Sequence, residues 1–219
     1  MTNNILIVFP HPDDEAFGVS GTIMQHIENG DHVTYACLTL GEMGRNLGNP
    51  PIATRESLRN IRKEELINAS KVMGIQDLRM LGYRDKTVEF EPFDQLTAHI
   101  KSIIDELNPT KIISFYPGFC VHPDHEATAS AVIEAVKQLE PSVRPMLHLV
   151  AFSNDTEEKL GAPDVEYNIS QFTERKLKTL EQHASQTGPM LEKLANDSQV
   201  SDEERDRWLK YERFYTYKV

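Results

Sequence analysis

Asn4-Ile5-Leu6-Ile7-Val8-Phe9-Pro10-His11-Pro12-Asp13-Asp14-Glu15 is the stretch that decides how this chain folds. Residues 5–9 are apolar without a polar alternation, the pattern of a strand covered on both faces in a parallel sheet. The strand breaks into a proline-bracketed turn of histidine and acids. Residues 17–29 then place Val19, Ile23 and Ile27 at helical spacing, with Gly30 as a stop. Strand, charged turn and helix in that order make the first half of a βα unit.

The unit recurs outward from there. Residues 32–40 alternate with β-branched side chains and predict a second strand. Residues 55–73 repeat Leu58, Ile61, Leu66, Ala69 and Val72 on one helical face and stop at Gly74. A short strand over 78–81, a helix over 93–107, a strand over 111–115, a helix over 126–139 and a strand over 147–152 continue the order. This alternation predicts an α/β, Rossmann-like fold: a mainly parallel sheet with helices on both faces, in a single domain over 1–219. Its core is expected in 1–155 and a helical C-terminal segment in 170–219. The aromatic end of that segment (Trp208, Tyr211, Phe214, Tyr215 and Tyr217) fits a core edge or a contact in a homo-oligomer.

Composition narrows the function classes. At 39% hydrophobic and 26% charged, 219 residues build an ordinary core, which excludes disordered and disulfide-scaffold classes. The chain carries 23 basic against 34 acidic residues, net −11, which speaks against binding a nucleic-acid backbone. No apolar run approaches a membrane span, and the start lacks the basic region of a signal peptide, so a cytoplasmic location is expected. Cys37 and Cys120 are the only cysteines and form no disulfide framework.

Two segments carry chemistry: His11-Pro12-Asp13-Asp14-Glu15 and His122-Pro123-Asp124-His125. With 8 His and 12 Pro in the chain, chance predicts roughly 0.03 His-Pro-Asp triplets, and there are two. Each lies between a predicted strand and a predicted helix, so both project from one sheet edge. A single such triplet reads as a turn with a helix cap; two at equivalent positions read as a metal site. A catalytic zinc wants three protein ligands and one open position. His11, one of Asp13 or Asp14, and one of His122 or His125 supply them. Fe²⁺ suits the same ligands. The remaining carboxylate and imidazole would serve as general base and charge stabiliser. His26, His32, His99, His148 and His183 lack this context and read as surface or satisfied residues. The glycine- and proline-rich loop over 41–51 follows a strand and lies at the ligand-binding edge.

The segments "FPHPDDEAFGVSGTI" (9–23), "GEMGR" (41–45), "RKEELINASKVMGI" (62–75), "GYRD" (82–85) and "HPDH" (122–125) resemble the LmbE/PIG-L family of zinc-dependent deacetylases, which act on N-acetylglucosamine derivatives. The likeness fades after about residue 155. "GEMGRNLG" and "GYRDKTVEFE" look most like the bacillithiol-biosynthesis branch, which hydrolyses the N-acetyl group of GlcNAc-malate. The resemblance implies His11, Asp14 and His125 as zinc ligands, Asp13 as general base and His122 as the charged partner of the oxyanion. Some relatives carry a tyrosine where this chain has Cys120, so that donor is either absent here or supplied by another residue, with Tyr116 as a candidate. Arg45 and Arg62 are candidates for the acidic aglycone and Asp85 for sugar hydroxyls. Asp124 is expected to hold His122 protonated, giving the pH profile an alkaline limb. The competing readings are deacetylation of a chito-oligosaccharide or antibiotic precursor, and a non-catalytic nucleotide- or sugar-binding module. The last would need a Gly-x-Gly-x-x-Gly turn after the first strand, where this chain has Pro10-His11-Pro12-Asp13-Asp14.

Overall fold

Ile5, Ile7 and Phe9 face one layer of helices and Leu6 and Val8 the other, which is why the strand has no polar side. This is the central strand of a computed structural model that describes residues 2–196 and 202–219. The elements run β1 (Asn4–Phe9), α1 (Asp14–Gly18), α2 (Ser20–Glu28), β2 (His32–Cys37), α3 (Leu58–Met73), β3 (Asp77–Met80), α4 (Phe93–Leu107), β4 (Lys111–Phe115), α5 (Pro123–Lys137) and β5 (Met146–Val150). There follow α6 (Thr156–Leu160), β6 (Val165–Asn168), α7 (Thr173–Gln182), α8 (Ala184–Asn196), α9 (Asp202–Lys210) and β7 (Tyr211–Tyr217). The sheet order is β3-β2-β1-β4-β5-β7-β6, and β1 to β5 are parallel. The α/β doubly wound fold is therefore present as a single domain.

Two layers cover the sheet. Val19, Ile23 and Met24, with Leu66, Ala69 and Met73 of α3, pack on the face of Ile7 and Tyr35. Ile100 and Ile104 of α4, with Val132 and Val136 of α5, pack on the face of Leu6 and Val8. The helices after β1 and after β4 thus leave on opposite faces. A crevice opens between these strands at their C-terminal ends, where doubly wound folds bind ligands.

The structure corrects the sequence reading in several places. The expected helix over 17–29 is two helices, broken at Val19. The helix read as starting at 126 begins at Pro123, which suits a first-turn position because its missing N–H has no acceptor to serve. The C-terminal segment is not wholly helical: β7 closes it, antiparallel to both β5 and β6, so the sheet is mixed. Residues 197–201 of the expected helical segment lie outside the described residues. Phe214 is fully buried and Tyr215 nearly so, placing these two at the core edge, while Trp208, Tyr211 and Tyr217 are half-buried.

Glu212 explains why β7 escapes a pattern reading. It puts a charge at a buried position, accepting from the N–H groups of Gly21 (3.0 Å) and Thr22 (2.7 Å) and from Lys176 Nζ (2.7 Å). Both side chains of the Lys176–Glu212 pair are 1% exposed. Glu212→Ala leaves a buried ammonium and two helix amides without their acceptor. The expected loss is about 3–5 kcal/mol, read as a lower urea midpoint at unchanged slope. A loss below about 1 kcal/mol would contradict this account.

Candidate active site

Pro10 and Pro12 stop β1 from continuing and turn the chain across the crevice, delivering His11, Asp13 and Asp14. From the neighbouring strand, the loop after β4 delivers His122 and His125 at the start of α5. Asp13 stands at the N-cap position of α1 yet makes no capping bond, and its φ of 97° is left-handed. A non-glycine residue held there costs about 1–3 kcal/mol and needs support from its surroundings. Glu15 gives that support: its Oε2 accepts from the Asp13 N–H (3.1 Å) and from Tyr35 Oη (3.0 Å), while its Oε1 meets His183 Nε2 at 2.6 Å. His183, expected at the surface or satisfied, is buried directly behind the site.

Two imidazoles face each other through one ring nitrogen each. His125 Nδ1 lies 3.0 Å from the Cys120 carbonyl, which can only accept, so that nitrogen carries the hydrogen and Nε2 is bare. His11 Nε2 lies 3.1 Å from Asp124 Oδ2 and 3.2 Å from Asp85 Oδ1, so it donates outward and Nδ1 is the nitrogen turned toward His125. His11 Nδ1 and His125 Nε2 are 3.1 Å apart, the distance of one N–H···N hydrogen bond. Asp14 lies beside both with different oxygens, its Oδ2 3.6 Å from His11 Nδ1 and its Oδ1 3.4 Å from His125 Nε2. Ligands bonded at 2.0–2.1 Å in a tetrahedral array sit about 3.3 Å apart, so the spacing of the two nitrogens and their outward hydrogen bonds fit a small divalent cation, which a rotation of Asp14 would bring to three ligands. Ligand atoms of His11, His122 and His125, and of His11, Asp85 and Asp124, also lie within 4.8 Å of one another.

Burial alone would lower His11, but its bonds to Asp124 and Asp85 and the nearby Asp14 charge push it up to about 10, so near neutral pH its Nδ1–H donates to His125 Nε2, and a cation bound here would take the place of that proton. Burial would raise Asp14, but His125 and His11 hold it below the usual carboxylate range. The pocket between these groups calls for positive charge. His122 is the third imidazole close by, edge-on to His11 at 4.9 Å between ring centroids. Its Nδ1 caps α5 by accepting from the Asp124 N–H at 3.1 Å, which leaves Nε2–H to point elsewhere.

Asp13 is different in kind. Burial pushes its carboxyl up to about 6 against the pull of Arg62, with Asp14 and Glu15 adding to the rise. A carboxylate poised near neutrality beside a cation site is suited to moving protons.

Several expected residues stand elsewhere than foreseen. Arg62 is not free to bind substrate: it donates to the carbonyls of Gly41 (2.7 Å) and Pro12, and to Asp13 Oδ2 (3.0 Å). It clamps the glycine-rich loop to the turn that carries Asp13. Gly41 must be glycine for this, since a Cβ there would meet Arg62 Nη1 at 1.9 Å, with φ at +62°. Asp85 is also committed, to His11 and to the Met43 N–H (2.7 Å). Asp124 does not hold His122 protonated. It is fully buried and accepts from the N–H groups of Lys86 and Val88 besides His11. Burial, followed by His11 and His125, lowers His122 instead. Tyr116 packs on Tyr215 and Tyr217 and is absent from the cleft wall, so it supplies no oxyanion donor. Burial pushes the Cys120 thiol up, and only its carbonyl takes part. Arg45 is exposed and lines the cleft, as expected of a substrate contact. Glu15, Asp124 and His183 as supports of the turn were legible only once the fold had brought them together.

The site lies on the floor of a cleft of about 990 Å³. A doubly wound sheet with imidazoles and carboxylates clustered at its switch point is the setting in which an α/β enzyme places its site. The chain belongs to the PIG-L family, described as GlcNAc-PI de-N-acetylase, whose profile matches residues 6–136. It is thus a member of a deacetylase family. It is 48% identical over 98% of its length to a Bacillus anthracis protein described as probable N-acetyl-alpha-D-glucosaminyl L-malate deacetylase 2, covering 95% of that protein. In fold it is similar to the N,N'-diacetylchitobiose deacetylase of Pyrococcus horikoshii, at TM-score 0.71 and 21% identity, covering 98% of this chain and 84% of that one. The fold also matches a 4-carboxy-2-hydroxymuconate hydratase from Pseudomonas putida, at TM-score 0.75 and 17% identity, covering 100% and 97%. One fold therefore serves a hydratase and a deacetylase, and the site must decide the chemistry. Among the described residues, no helix is long and apolar enough to cross a membrane.

Proposed function

We propose that this chain hydrolyses the N-acetyl group of N-acetylglucosaminyl malate, the step of bacillithiol biosynthesis its sequence resemblance implies. The observation that carries the reading is the convergence of His11, Asp14 and His125 on one point beside the half-buried carboxylate of Asp13. Those three residues would hold zinc, with Fe²⁺ accepted by the same donors. A bound divalent ion supplies Lewis-acid polarisation of the amide carbonyl and makes water a competent nucleophile near neutral pH. Asp13 takes the proton of the attacking water and delivers it to the amine nitrogen as the C–N bond breaks. His122 donates its Nε2–H to the carbonyl oxygen as negative charge builds there. Because His122 is shifted down rather than up, it does this as a neutral donor, and it contributes no alkaline limb to the pH profile.

Asp85 and Asp124 orient His11, and Arg62 positions Asp13, so all three act through another residue. The test is a free-amine assay with zinc-loaded protein on GlcNAc-malate, diacetylchitobiose and an uncharged N-acetylglucosamine glycoside. The highest kcat/KM is expected on GlcNAc-malate, with loss on chelation and recovery on adding zinc. Faster amine release from diacetylchitobiose would transfer the assignment to that sugar class.

A further inference from the structure

Six cationic side chains line the cleft: Arg45, Arg62, Lys86, Lys176, Arg207 and Arg213. Three are neutralised in place, Arg62 by Asp13, Lys176 by Glu212 and Arg213 by Glu157 at 2.8 Å. Arg45, Lys86 and Arg207 have no side-chain partner among the described residues. They come from three separate elements, on a chain whose net charge is −11. Nor does the cleft offer them a spare acid. Asp13, Asp14, Asp85 and Glu212, its lining carboxylates, are already engaged with Arg62, the two histidines, the Met43 N–H and Lys176.

We infer that Arg207 and Lys86, together with Arg45, form the subsite that grips the carboxylates of the substrate's aglycone. The inference rests on the proposed deacetylase reading and adds to it the residues that select an acidic conjugate. Lys86 is held by the machinery of the site itself and Arg45 by a pinned loop. Lys86 follows Asp85 directly, has a left-handed φ of 62° and is fixed by its N–H bond to Asp124 Oδ2 at 2.7 Å. The backbone that aims its side chain is therefore set by the carboxylates that orient His11. Arg45 sits on a loop pinned from both sides: Arg55 donates to the carbonyls of Gly44 and Arg45, and Asn46 exchanges bonds with Gln186 at 3.1 and 3.0 Å. Arg207 comes from α9 beside Trp208, beyond residues 6–136 where the family profile ends. The catalytic groups, Arg45 and Lys86 then lie within the stretch that the family profile matches, and Arg207 lies outside it.

An arginine or lysine contact to a carboxylate is a charge-assisted hydrogen bond, and its loss acts on binding throughout the reaction. Arg207→Gln and Lys86→Gln are each expected to raise KM for GlcNAc-malate by about 10–100-fold with kcat little changed. Each should cut the preference for GlcNAc-malate over the uncharged glycoside by the same factor, and Arg207→Lys should restore part of it. Binding of free L-malate to the zinc-loaded protein, measured by calorimetry, tests the subsite without any turnover and should weaken in both variants. Equal losses on the acidic and uncharged substrates, or unaltered L-malate binding, would overturn the proposal. A wild-type enzyme that deacetylates both substrates with equal kcat/KM would overturn it too, while leaving the deacetylase reading in place. If the wild type deacetylates neither sugar, that reading fails, and L-malate binding still decides the subsite.

Discussion

Asp13→Asn is expected to lower kcat by about 10²–10⁴-fold while the protein retains its full metal content. The substitution keeps the shape of the side chain and one of its oxygens, so Arg62 and the left-handed turn at Asp13 keep their contacts. What disappears is the ability to take a proton. If Asp13 were a ligand rather than a base, metal would be lost along with activity, and measuring metal beside turnover separates the two. A variant with near-wild-type kcat would end the assignment.

The pH dependence gives a second handle on the same group. Asp13 is raised to about 6 even with Arg62 pulling it down. A base works in its ionised form, so kcat/KM should fall as pH drops through the pKa of Asp13. Removing the guanidinium in Arg62→Gln removes a stabiliser of the ionised form, and the acidic limb should move to higher pH. A limb that moves down, or stays, would assign it to another group. Arg62 also ties Gly41 and Pro12 together, so the variant should lose stability, which a separate unfolding measurement reports. The position of the limb is independent of that loss.

The parts of the site that were legible in the sequence are those encoded locally. Residues 5–9 could only be a doubly covered strand. The two His-Pro-Asp turns had to project from the same edge once the strands were parallel, and the structure brings them to within 3.1 Å at His11 and His125. Arg62, Asp85 and Asp124 were visible as residues but not as supports, because what they hold comes from segments distant in sequence. Arg62 had a plausible helix neighbour in Glu65, yet Glu65 is spent on the N–H and Oγ of Ser185, both at 2.7 Å. His183 gave no signal, since its partner Glu15 is 168 residues away. β7 was obscured for the opposite reason: its aromatic residues favour a strand, but the buried Glu212 reads as a solvent position until its three donors are known.

His11→Ala and Asp14→Ala are expected to lose bound metal and activity together, because each removes one of the three converging groups. The neighbours of those groups should grade differently. Asp124→Asn keeps a side chain against His11 but weakens the acceptor of its Nε2–H. Loss of such an orienting partner costs about 10–100-fold in metal affinity, with activity recovered in excess zinc. His122→Ala should keep metal at full stoichiometry and leave KM nearly unchanged. Its kcat should fall by about 10²–10³-fold, because its Nε2–H strengthens its contact only as the oxyanion forms. Metal content after dialysis against a chelator, set beside kcat for each variant, separates these three behaviours. Metal kept at full stoichiometry in His11→Ala would remove it from the ligand set. Metal lost in His122→Ala would make it a ligand, since His11, His122 and His125 each bring a nitrogen within 4.8 Å of the others. The hydrogen bonding favours the first arrangement. His122 spends Nδ1 on capping α5, whereas His11 and His125 each anchor their outer nitrogen on an acceptor and aim the other inward, as metal-binding histidines do.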